Sequence, residues 1–246
     1  MSARPQEWSR IPISSVEDLS DAVLGAGLEV TQMSRAPVTG SLAFSTFDHG
    51  ITCSSGHIGG RVALTGPLSA NMVTLGVGLV MAPGTRHWLN EVTSGAVGVF
   101  LPGDEHDALY PPGSLYAVVT LPAERLEQIA AQSDLVLDTK TLGGTGIDPN
   151  KKFPAAELSR LRMQFRQIHD GYSARNPRPQ VVCKQLLHAF VHKGMHASSL
   201  AHAPLSMKIW INPCRLIRSR VRLPLRTEHF TAHSMLCLMR RRTRMP

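Results

Sequence analysis

Between Leu28 and Leu121 the apolar residues come in short runs cut by glycine and proline, too short to sustain a 3.6-residue period and of the length strands take. The pattern predicts strands over residues 28–32, 40–47, 51–54, 61–64, 72–80, 95–101 and 115–121. The connections Asp48-His49-Gly50, Ser55-Gly56, Gly59-Gly60, Pro83-Gly84, Pro102-Gly103 and Pro111-Pro112-Gly113 offer the positive or fixed φ that tight turns need. Many short strands at this spacing predict a small barrel or sandwich, and closure would remove exposed sheet edges.

After Leu121 the period changes. Pro122 opens a helix over 122–133 with Leu126, Ile129 and Ala130 on one face. Pro154 opens a second, ending near Gly171, with Leu158, Leu161, Phe165 and Ile168 in one stripe. A third, over 179–193, aligns Val182, Leu186, Ala189 and Phe190. On its outer face the second helix carries Arg160, Arg162, Arg166 and His169, which read as solvated. Gly143-Gly144-Thr145-Gly146 lacks a following Lys-Ser/Thr pair and reads as a connector, not a phosphate loop.

Composition then bounds the class. The chain has 246 residues, 43% of them hydrophobic and 18% charged, which fits a globular protein of one large domain or two small ones. The longest apolar run, 72–83, is twelve residues long, short of the ~18 to 20 that cross a bilayer. The start of the chain has no apolar signal region, so a cytoplasmic protein without membrane contact is expected. Cys53, Cys183, Cys214 and Cys237 are far apart and read as free thiols. Thr52 and Ser54 beside Cys53 favour an ordinary half-buried thiol over a nucleophile.

Charge is unevenly placed. The net +8 comes from residues 207–246, where Lys208 and nine arginines face Glu228 alone, a surplus of nine that leaves the other 206 residues at −1. Pro204, Pro213 and Pro224 interrupt this stretch and its arginines fall on every face, so no amphipathic helix can be drawn. Arg215, Arg218, Arg220, Arg222, Arg240, Arg241 and Arg242 are the candidate nucleic-acid contacts, salt-sensitive and blind to sequence.

Three features together resemble the N-terminal effector-binding and dimerisation domain of AraC-family transcription regulators. They are Val30-Thr31-Gln32-Met33-Ser34-Arg35-Ala36-Pro37-Val38-Thr39-Gly40-Ser41-Leu42, Phe100-Leu101-Pro102-Gly103-Asp104-Glu105-His106-Asp107, and the strand-to-helix passage over 115–126. The resemblance covers about residues 12–195. It implies an α+β fold, a small cupin-like β-barrel over 12–121 followed by linker and dimerisation helices over 122–198; the patternless charge beyond is expected to be a basic, disordered tail over 199–246. It further implies a small-molecule effector, a homodimer and, in the intact family, DNA as partner. The family's two helix-turn-helix motifs find no counterpart after Met195, and a frameshift or truncation near residues 199–206 is the expected cause.

Cupins also hold metals through inward histidines and a glutamate. His87, Glu91 and His106 are the available set, and a metal-dependent cupin enzyme using them is the alternative function. No H-x-H occurs in the β region, and the motif assignments of His87 and His106 overlap. The expectation is therefore a site with no metal and no cofactor, an effector pocket contacted by Arg61, His87, Trp88, His106 and Tyr116, and no catalytic residue. A third reading is non-specific nucleic-acid binding through the Arg-rich tail.

Overall fold

A computed structural model describes residues 7–24, 26–135, 137, 146–171 and 176–191 of the chain, and everything structural below refers to them. In chain order the elements are β1 (Ser9–Ile13), α1 (Val16–Leu24), β2 (Glu29–Gln32), β3 (Gly40–Thr46), β4 (Thr52–Ile58), β5 (Val62–Pro67), β6 (Val73–Val80), β7 (Arg86–His87) and β8 (Asn90–Glu91). They continue with β9 (Ala96–Phe100), β10 (Glu105–Tyr110), β11 (Ser114–Leu121), α2 (Ala123–Ala131), β12 (Gly146–Lys152), α3 (Ala155–Asp170) and α4 (Pro179–Ala189).

The strands form two antiparallel sheets, one of seven strands in the order β1-β3-β4-β11-β6-β9-β12 and one of five in the order β2-β5-β10-β7-β8. The expected closed barrel is thus corrected to two open sheets: β1 and β12 are the edges of the larger, β2 and β8 those of the smaller. The fold class is α+β, as expected.

Strand alternation divides the large sheet into two unlike faces. Leu75, Val77, Leu79, Val97, Ala117 and Val119 belong to a fully buried cluster with Leu126 of α2, Leu161 and Phe165 of α3, and Val182 and Leu186 of α4. The intervening residues, Thr74, Gly76, Gly78, Gly98, Val118 and Thr120, line a hollow on the other side. A second cluster joins Ile13, Leu19 and Val23 at the α1 end to Val62, Leu64 and Tyr110 of the small sheet.

The helices end as their sequences dictate. Pro154 precedes α3, and Gly171 closes it in the left-handed conformation at φ 80°, with its N–H donating to Ile168 O at 3.3 Å. α1 begins with Ser15 Oγ accepting from the Asp18 N–H at 3.1 Å and the Asp18 carboxylate accepting from Ser14 N at 2.9 Å. The Ser14 hydroxyl, which also donates to this carboxylate, and the Ser14 N–H together hold the Asp18 carboxyl below its usual range.

Three expectations are overturned locally. Ser55-Gly56 is no turn: β4 runs through it, and Gly56 sits under the Tyr116 ring, where a Cβ would lie 2.5 Å from the ring. The residue is glycine for close approach. Gly146 opens β12, which pairs with β9 through an irregular register across Pro149, so the connector stops one residue earlier than expected. Third, α3's outer face is not wholly solvated, because Arg162 Nε donates to Leu79 O at 3.0 Å and His169 is buried.

His169 ties α3 to the sheet. Its Nδ1 lies 2.7 Å from Ser41 Oγ and its Nε2 3.0 Å from Ser55 Oγ, while the Ser55 hydroxyl donates to Tyr116 O at 2.5 Å. With the Ser55 proton so directed, Nε2–H donates to Ser55 and Nδ1 accepts from Ser41. Burial, aided by His57 and Arg10, lowers the His169 pKa to about 4 and keeps the ring neutral. Cys53 of β4, fully buried and not half-buried as expected, donates to Cys183 of α4 and anchors that helix too; the bond raises the Cys53 pKa and lowers that of Cys183. Neither cysteine is in a disulfide.

Candidate functional site

The hollow between the sheets is a cavity of about 450 Å³. Its size follows from the sequence of the large sheet's inner face, where Gly76 pairs with Gly98 across β6 and β9 and leaves a floor of bare backbone. A Cβ at Gly76 would reach only the Phe100 ring and the Val118 methyl, at 3.8 and 3.9 Å. The opposite wall comes from the small sheet: His87 of β7 and His106, Ala108 and Tyr110 of β10, alternate residues of a strand with that face inward.

An aromatic chain runs along this wall. Ring centroids are 5.1 Å apart for His87 and Phe100, 5.0 Å for His87 and His106, 6.3 Å for His106 and Tyr110, and 5.3 Å for Tyr110 and Tyr116. His87 is 3% and His106 8% exposed, and their atoms Nε2 and Nδ1 have no hydrogen-bond partner in the protein. The His106 Nε2 is placed 3.4 Å from the Tyr110 hydroxyl. Burial drives the His87 pKa to about 4 against a smaller opposing pull from Asp107, and the His106 pKa to about 3 with help from His87. Both imidazoles are neutral at pH 7. Burial likewise pushes the Tyr116 phenol up to about 12 and the Tyr110 phenol higher still, so both keep their protons.

Of the residues expected at an effector pocket, the structure brings His87, His106 and Tyr116 to this one cavity. Arg61 and Trp88 are not among its lining. Arg61 is exposed immediately before β5, and Trp88, 43% exposed at φ 54°, turns outward next to His87. His87 lies in a short strand, not in a turn. Glu91 stands exposed on β8, in register with Arg86, and His87, Glu91 and His106 do not gather into a three-ligand cluster. Among the lining residues not anticipated from the sequence are Phe100, Tyr110 and the glycines; for Tyr110 the alternate spacing of His106, Ala108 and Tyr110 is the signal that marks it. Arg215, Arg218, Arg220, Arg222, Arg240, Arg241 and Arg242 lie outside the described residues, as do Cys214 and Cys237.

A second hollow, about 720 Å³, opens between the β3–β4 turn, α2 and α4, lined by Asp48, Arg125, Lys184 and Leu187 among others. No helix among the described residues is long and apolar enough to cross a membrane.

No family model matches the chain, and no curated protein does. Among solved structures, the AraC-like transcriptional activator CuxR aligns with a TM-score of 0.48 and 9% identity over 82% of this chain and 72% of that one.

Proposed function

We propose that this chain is the effector-sensing and self-pairing half of an AraC-like transcription regulator, with a cupin-like β domain that takes a small molecule and helices that join two copies. The observation that carries the reading is the cavity between the sheets, with two buried imidazole nitrogens that lack a protein partner. Such atoms cost about 1 to 3 kcal/mol each when left unpaired, which a bound molecule offsets. The likeness at residues 100–107 supports it as well, because Phe100 and His106 of that stretch line the cavity. Self-pairing through the helices follows the family resemblance, and the exposed apolar side chains of those helices, Met163 on α3 at 58% and Val181 on α4 at 47%, are the positions at which to test it.

Sedimentation velocity of the full chain, from low to high micromolar, tests the reading. The expected result is a dimer that Met163→Glu with Val181→Glu returns to monomer without lowering the melting temperature. A monomer at every concentration overturns the self-pairing reading.

A further inference from the structure

We propose that the cavity takes an uncharged, planar, one- or two-ring molecule with one polar edge, its ring over the Gly76–Gly98 floor and its polar edge at His87 Nε2 and His106 Nδ1. This rests on the reading of the cavity as the effector site and names the chemistry of its occupant.

Shape is set by the floor. Two paired glycines present flat backbone to the cavity, and the nearest side chains to a Cβ at Gly76 stand at ordinary van der Waals distance, so a ring has room to lie there. The wall opposite is aromatic from His87 through His106 to Tyr110, and rings pack on rings in offset or edge-on contact. A volume of about 450 Å³ is roughly three times the ~150 Å³ that encloses benzene.

Charge is set by what the lining lacks. Arg86 is the one charged residue in it, and Arg86 is exposed. The two buried histidines are neutral at pH 7, so a carboxylate or ammonium seated between them would lose its hydration with no counter-charge. The polar edge is set by the two unpartnered nitrogens. A hydroxyl, with one proton to donate and two lone pairs to accept with, satisfies the pair when at least one of the two nitrogens carries its proton. Two histidines alone do not complete a metal shell.

Isothermal titration calorimetry of the full chain at pH 7.5 tests this with four probes of known chemistry: 2-naphthol, naphthalene, 2-naphthoate and zinc ion. The expected result is one 2-naphthol per chain, with naphthalene and 2-naphthoate each at least about tenfold weaker, the worth of one good hydrogen bond. His87→Phe should abolish the preference for naphthol over naphthalene, and Gly76→Val should abolish binding of both. The melting temperature of each variant shows whether it folds, and Gly76→Ala, which adds a single methyl, serves if Gly76→Val does not. Tighter binding of 2-naphthoate or of zinc than of 2-naphthol overturns the ligand class while leaving the cavity as a binding site. No binding by any probe to a folded chain overturns the ligand class, and the effector reading falls with it only if a broad panel of uncharged polar molecules also fails to raise the melting temperature.

Discussion

The two faces of the seven-stranded sheet are written in the same strands, one residue apart, and are built for opposite ends. Toward the helices β6 presents Val73, Leu75, Val77 and Leu79, none more than 2% exposed; toward the small sheet it presents Thr74, Gly76 and Gly78. One face is filled to exclude everything. The other withholds side chains, and the space they leave is the cavity. A packed core and an open hollow are thereby assigned to alternate positions of one strand, as period-two geometry permits.

Acid should strike both faces, and with the largest effect. His87 and His106 on the cavity side and His169 on the helix side are neutral when folded, with pKa values near 4, 3 and 4, against about 6.5 when unfolded. Folded values depressed in this way mean that the unfolded chain binds protons first. The stability present above pH ~6.5 is then lost as pH falls toward 4, by on the order of 3 kcal/mol for each of His87 and His169. Urea midpoints at pH 7.5 and 4.5 measure it, and coincident midpoints would contradict the burial of all three rings.

A sharper cut between the faces compares neighbours. Leu75→Ala should cost about 2 to 5 kcal/mol through the void it leaves among the helices. Gly76→Ala, one residue on, should change stability by less than about 1 kcal/mol, since the added methyl meets the Phe100 ring and the Val118 methyl at ordinary van der Waals distance. Equal costs in urea would show that the hollow is packed. Between these two falls Ser41→Ala, about 1 to 2 kcal/mol for depriving His169 Nδ1 of its donor, with Ser55 still in place.

How far the sequence disclosed this depends on the kind of signal each element carried. β6 was legible because Val73, Leu75, Val77 and Leu79 alternate without a break, and α3 because a proline and a glycine bracket its apolar stripe. β7 and β8, two residues each, are below the length at which any period shows. β12 carries Pro149 in its middle, and α1 has only Leu19 and Val23 buried in nine residues. In the site, His87, His106 and Tyr116 could be picked out as ring-bearing residues in β-like sequence. Arg61 and Trp88 stand next to Val62 and His87, which are buried, so alternation sends them outward; a residue-type criterion cannot see that parity. The glycines of the floor fall inside strands the pattern predicts, and strand prediction alone does not show that they leave room.

A floor made of backbone has a consequence for descent. Every glycine codon is one base change from an alanine and a valine codon, so a mutation at Gly76 trims the cavity by one or a few methyl groups while the leucines and valines of the same strand that pack on the helices stay untouched. Variation in the volume of the hollow can therefore accumulate in small steps while the packed face of the same strand is left as it is.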